Sequence, residues 1–175
     1  VIAIGRYTYQ KGFERLIEAW NILSPGFPGW KLDIIGNGEE RDKLQDLIHA
    51  YHLDGQVTLV SPTKSIDKVY LDASVLVMSS RYEGLPMVLL EAQAFGLPIV
   101  SFACKCGPKD IVANGETGFL VEENDIEGLA RQLVKVMKDK NLRKQMGRKA
   151  KEASLRYAED AVMAKWTALF DSLKG

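Results

Sequence analysis

Two glutamates stand with seven residues between them in the segment SVLVMSSRYEGLPMVLLEAQAFGLPIV, Glu83 in a loop and Glu91 in a helical stretch. Ionised carboxylates accept hydrogen bonds strongly, so such a pair suits a ligand rich in hydroxyl groups. At about 100° per residue, Glu91 falls between Met87 and Val88 and over Phe95. That is an apolar face, away from the one carrying Gln93. A carboxylate there needs a partner. It is expected either to pair with a lysine or backbone N–H groups, or to be held by packing and aimed at sugar hydroxyls. Glu83 reads either as an exposed loop acid or as a second ligand for hydroxyls. Beside it, the N–H groups of Gly84 and Leu85 precede a helix and can face phosphate or sugar oxygens.

Arg6 and Lys11 lie five residues apart in VIAIGRYTYQKGFERLIEAW, between an apolar run and a helix. A helix N-terminus favours anions. Arg can grip a phosphate with two N–H groups, and Lys adds a point charge. The pair reads as a diphosphate clamp or as two solvated loop cations; nothing matches a Walker loop. Gly36 and Gly38 form a G-x-G turn in DIIGNGEERDKL, with Arg41 where a dinucleotide fingerprint has its third glycine. The turn is either a tight strand-to-helix connection or a close backbone approach to a nucleotide.

These residues come just after short apolar runs. Strands are expected at 1–5, 31–36, 57–60, 74–78, 98–102 and 118–121. Helices are expected at 13–23, 39–52, 66–73, 86–95 and 109–113, with Pro86 in the first helical position. After Asp125 the chain reads as almost wholly helical. Alternating β and α units predict an α/β fold: a Rossmann-like, doubly wound parallel sheet of about six strands, with helices on both faces and a helical C-terminus. Ligands of such sheets sit beyond the carboxyl ends of the strands, where the candidate residues fall.

Lys+Arg and Asp+Glu both number 23, so no global field attracts nucleic acid or an anionic membrane. No apolar run reaches the roughly 18 residues of a membrane span. Cys104 and Cys106 are too few for a disulfide framework and read as ordinary loop thiols, which fits a cytoplasmic location. His49 and His52 read as solvated, and no metal site or cofactor is expected. The basic stretch 135–151, KVMKDKNLRKQMGRKAK, reads as a solvated helix face or as a peripheral contact with the inner face of a membrane. A stripe of Val162, Met163, Trp166, Leu169, Phe170 and Leu173 reads mostly as core. Val1 lies inside a strand-like run, so sequence upstream is expected.

The arrangement E-G-L-P-x-x-x-x-E-A resembles the E-x7-E signature of retaining GT-B glycosyltransferases, family 4 above all. The segments GRYTYQKGFERLIEA, DIIGNGEE and GPKDIVANGETGFLVEENDIEGLA resemble that family's other motifs in order, over essentially the whole chain. The departures are Lys109 or Asp110 where Glu is common, and Cys106-Gly107 near a usual glycine pair. The resemblance implies the C-terminal half of a GT-B fold, residues 1–175, binding a nucleoside-diphosphate sugar, UDP-linked for preference. It implies that Arg6 and Lys11 bind the diphosphate, Glu91 the ribose and Glu83 the transferred sugar. Gly84 and Leu85 would offer N–H groups, and Val60 and Ser61 would lie near the base. The acceptor would bind an N-terminal domain that this chain lacks, and the last helix would cross back to it, leaving part of its apolar stripe bare here and predicting some self-association. Other GT-B enzymes (an epimerase or phosphorylase), a non-catalytic sugar-nucleotide module and an NAD-binding domain are the competing readings.

Overall fold

Each short apolar run becomes a strand because both of its faces are covered. Six parallel strands, β1 (Ile2–Ile4), β2 (Leu32–Ile35), β3 (Val57–Val60), β4 (Leu76–Met78), β5 (Ile99–Phe102) and β6 (Gly118–Val121), form one sheet in the computed structural model, which describes residues 1–173. Their order is β3-β2-β1-β4-β5-β6. The chain winds outward from β1 in one direction, then returns to start β4 on its other side. Beyond the carboxyl ends of β1 and β4 lies the switch point, where the crossovers diverge and leave a crevice.

Strand alternation divides the core in two. Ala3, Ile34, Val77, Val100 and Phe102 pack with α1 (Phe13–Leu23), α2 (Arg41–Ala50) and α6 (Ile126–Lys138). Ile2, Ile35, Leu76, Met78 and Ile99 pack with α3 (Ile66–Asp72), α4 (Met87–Ala94) and α5 (Pro108–Ile111). Two further α-helices follow, α7 (Lys140–Ser154) and α8 (Glu159–Ser172).

Several expectations are corrected. Pro86 is the extended N-cap residue of α4, not its first helical residue. The buried line of α4 is Leu89, Ala92 and Gln93, so Glu91 is exposed and Gln93 lies in the core. The Gln93 amide is tolerated there because it donates to the Ile111 carbonyl at 2.9 Å. The stripe on α8 is not core: the helix buries no residue, and Trp166 and Phe170 are 50% and 54% exposed.

The basic stretch is solvated as expected, with every cation from Lys135 to Lys151 exposed except the half-buried Arg143. Asp139 ends α6 and caps α7, accepting from Asn141 and Leu142 N–H at 2.9 Å each. Arg143 donates to the Val136 and Met137 carbonyls at the end of α6 and lies over the Trp30 ring; Lys135 lies over Phe119. These cations cap and pack. Among the described residues no helix is long and apolar enough to cross a membrane.

Candidate functional site

The loops after β1 and β4 are fastened to each other across the switch point. Arg81 N–H donates to the Gln10 carbonyl at 2.8 Å, and Gln10 Nε2 to the Tyr82 carbonyl at 3.0 Å. The Arg81 guanidinium covers the Tyr9 ring at 3.8 Å, donates to the Tyr9 carbonyl and pairs with Glu14. Ser79 Oγ donates to the Lys11 carbonyl at 2.9 Å.

Beneath this seam lies Arg15, a buried cation on α1. It donates to the Ser79 carbonyl at 2.5 Å and to Asn124 Oδ1 at 2.6 Å, with its guanidinium 4.8 Å above the Phe102 ring. Burial, and then the nearby Arg81 charge, push its pKa down. Arg15 thus joins the ends of β4 and β5 and the loop before α6. Gly12 makes the approach possible: its φ is 58°, and a Cβ there would stand 2.7 Å from the Ser79 carbonyl oxygen.

Held by this frame, Lys11 Nζ meets Glu83 Oε1 at 2.7 Å, with side chains only 17% and 7% exposed. The Lys11 stem lies over Gly5, beside the exposed Arg6. Gly84 and Leu85 come next, in the open, with no atom near the position a Gly84 Cβ would take.

The G-x-G turn packs against its own chain. A Cβ on Gly36 would fall 1.8 Å from the Gly5 carbonyl oxygen, and one on Gly38 2.4 Å from that of Tyr7. Both glycines are explained by this close approach. Next to them a depression of about 310 Å³ is lined by Gly5, Arg6, Gly36, Asn37, Thr63 and Ile66, among others. Val60 is half-buried at the carboxyl end of β3, and its carbonyl lies 3.0 Å from the buried Tyr7 hydroxyl; Ser61 is exposed.

Glu91 is positioned from another helix. The Tyr70 hydroxyl on α3 donates to Glu91 Oε2 at 2.6 Å. Burial, and then this bond to a carboxylate, push the Tyr70 pKa far above its ordinary value. Cys104 is buried and Cys106 exposed, both free thiols. Burial, then the Glu83 charge, push Cys104 up to about 11. No group of three His, Cys, Asp or Glu residues among the described residues could hold a metal ion.

The family model for "Glycosyl transferases group 1" matches residues 1–153. The chain belongs to this family. It is 39% identical over 171 residues to the amylovoran biosynthesis glycosyltransferase AmsD of Erwinia amylovora, covering 98% of this chain and 48% of that protein. The chain therefore spans about half the length of the curated relatives it matches. A mutant of S. aureus TarM, solved with UDP, Fondaparinux and alpha-GlcNAc-glycerol, superposes with a TM-score of 0.91 at 28% identity, over 97% of this chain and 35% of that one. The C-terminal domain of a group 1 family protein from Francisella tularensis shares the fold, with a TM-score of 0.80 at 24% identity over 90% of this chain and 86% of that chain. The architecture is the C-terminal half of a GT-B glycosyltransferase.

In this group 1 domain, Arg6, Lys11, Glu83, Gly84 and Leu85 all lie on the two loops flanking the switch point. Glu91 lies apart from them, a turn inside α4. The expectation that packing alone holds it on an apolar face fails, because α4 is apolar around most of its circumference and its sequence does not say which side meets the sheet. Tyr70 and Arg15 escape a reading of the sequence. A helical pattern marks Tyr70 as core without revealing its partner 21 residues on, and the place of Arg15 within an apolar helix face is the signal that could have flagged it.

Proposed function

We propose that this domain binds a nucleoside-diphosphate sugar in the crevice at the switch point, and that the protein containing it transfers the sugar to an acceptor hydroxyl. The observation that carries the reading is the pairing of Lys11 with Glu83 beside Arg6. It supports the reading by bringing the cations proposed for the phosphates and the carboxylate proposed for the sugar together on two loops locked in register. Arg6 and Lys11 would take the diphosphate. Glu83, Gly84 and Leu85 would take the transferred sugar, Glu91 the ribose, and the depression lined by Gly36, Asn37 and Thr63, close in the chain to Gly38, Val60 and Ser61, the base.

Charge develops on the leaving diphosphate as the bond to the sugar breaks. Preorganised cations stabilise that charge directly, and each charge-assisted bond supplies about 1.5–3 kcal/mol. This supports a metal-independent route, and the resemblance to E-x7-E enzymes supports retention at the anomeric carbon. UDP in the TarM structure favours a UDP-sugar, and the part AmsD plays in amylovoran biosynthesis favours exopolysaccharide or related glycan synthesis. On this reading the acceptor sits on a second domain outside this chain, and the isolated domain transfers nothing. A cytoplasmic site of action fits two free thiols.

Calorimetric titration with UDP, GDP and ADP in EDTA tests the reading. Metal-free binding of one of them, weakened in Glu91→Ala, is expected. Absence of binding to all three by the full-length protein overturns it. Product analysis by NMR then reads the anomeric configuration, and inversion would remove the retaining assignment.

A further inference from the structure

Tyr70 is the polar tip of an otherwise apolar layer. Its ring is 1% exposed, within the core formed with Leu89 and Ala92. It stacks on Phe95, with centroids 5.1 Å apart and planes 10° from parallel. A ring packed in this way has little freedom to turn, so its hydroxyl is a fixed point. That hydroxyl donates to Glu91 Oε2 at 2.6 Å, within the range of charge-assisted O–H···O⁻ bonds.

Glu91 is the opposite case. It lies exposed on the flank of α4, where a glutamate side chain ordinarily samples several rotamers. Among the described residues Tyr70 is the one hydrogen-bond donor to its carboxylate, and Oε1 carries no protein hydrogen bond. One carboxylate oxygen is tied to a rigid phenol, and the other is left to accept from outside the protein.

We propose that Tyr70 is a positioning residue for nucleotide binding, orienting the Glu91 carboxylate toward the ribose hydroxyls before the ligand arrives. The inference rests on the assignment of Glu91 to the ribose. Its physical content is preorganisation: a carboxylate already ordered loses less freedom on binding. Tyr70 touches no ligand itself. The same bond could instead serve only to satisfy a buried phenol, and that alternative makes different predictions.

The test is Tyr70→Phe in the full-length protein, which keeps the ring and its stacking on Phe95. The probe is whichever of UDP, GDP or ADP the wild type binds, together with the 2′,3′-dideoxy form of that nucleotide. From the cost of immobilising one side chain, Tyr70→Phe should weaken binding of the ribonucleotide about three- to tenfold. Binding of the dideoxy form should be unchanged, and the substitution should have no further effect in a Glu91→Ala background. Ribonucleotide binding equal to wild type in Tyr70→Phe, with Glu91→Ala still weakened, overturns the role of Tyr70 and leaves the ribose assignment standing. Equal weakening toward both nucleotide forms also overturns it, as general loosening of the fold. A Glu91→Ala protein that binds as tightly as wild type, or a wild type that binds none of the three, overturns the ribose assignment and the role of Tyr70 with it.

Discussion

The Lys11 ammonium and the Glu83 carboxylate meet at 2.7 Å although 72 residues separate them in the chain. Each neutralises the other in a crevice proposed to take an anionic ligand. Removing one partner of a well-shielded pair leaves a charge without compensation. Lys11→Ala should therefore destabilise the fold by about 1–2 kcal/mol, between the values for exposed and buried pairs. Lys11→Ala/Glu83→Ala should recover most of that loss, while transfer by the full-length protein stays impaired. Urea unfolding of both variants measures the first effect; a double variant no more stable than Lys11→Ala would show that the pair is not coupled.

Arg6 is exposed, and among the described residues its side chain makes no ion pair like that of Lys11 with Glu83. Its role in the proposal is confined to the leaving diphosphate. Arg6→Ala should leave unfolding unchanged and slow transfer by about tenfold to a few hundredfold. Unchanged turnover in a full-length Arg6→Ala enzyme would remove Arg6 from the clamp.

Arg15 should behave in the reverse way, as a structural residue first. Arg15→Met keeps the apolar stem but removes the donors that reach Ser79 and Asn124. Leaving those two acceptors without their donor costs about 2–4 kcal/mol. For a domain of this size the melting temperature should fall by roughly 5–15 °C. A calorimetric scan that moves by less than about 2 °C would show that the seam holds without it.

Cys104 makes stability depend on alkaline pH. Its folded pKa is raised to about 11 from 9.0, so between those values the unfolded chain releases a proton that the folded chain keeps. The unfolded state then binds fewer protons, and stability falls as pH rises through this window. Cys104→Ala should flatten that fall in urea unfolding at pH 9 to 11. At a pH of about 8, near the ordinary thiol pKa, a thiol reagent should modify Cys106 alone, since Cys104 is buried. A second modification without unfolding would count against this burial.

The sheet is legible in the sequence because parallel strands buried on both faces read as unbroken apolar runs. The loop positions of Arg6, Lys11 and Glu83 are legible too, since each lies in the loop that follows a strand and the strand itself is a local signal. The long-range pairings are not legible. Nothing local to Lys11 names Glu83, and nothing local to Glu91 names Tyr70. The exchange of places between Gln93 and Glu91 has the same origin. On a short helix covered on several sides, a buried amide is settled by a carbonyl at Ile111, far outside any helical window.

The error at α8 has a different origin and supports a prediction. Helical spacing of Met163, Trp166, Leu169 and Phe170 reports that one face is apolar, and says nothing about what covers it. In the structure that face is bare, with Trp166 stacked on Phe170 at 5.7 Å and both rings in solvent. An apolar patch of this kind drives association when it has no partner. This chain in isolation should therefore self-associate as its concentration rises. Trp166→Glu should suppress the association without lowering the stability of the sheet, because α8 contributes no buried residue to either core. Sedimentation velocity over a wide concentration range measures both proteins. A wild-type chain that stays monomeric throughout would show that the exposed stripe is too small or too mobile to hold a second copy.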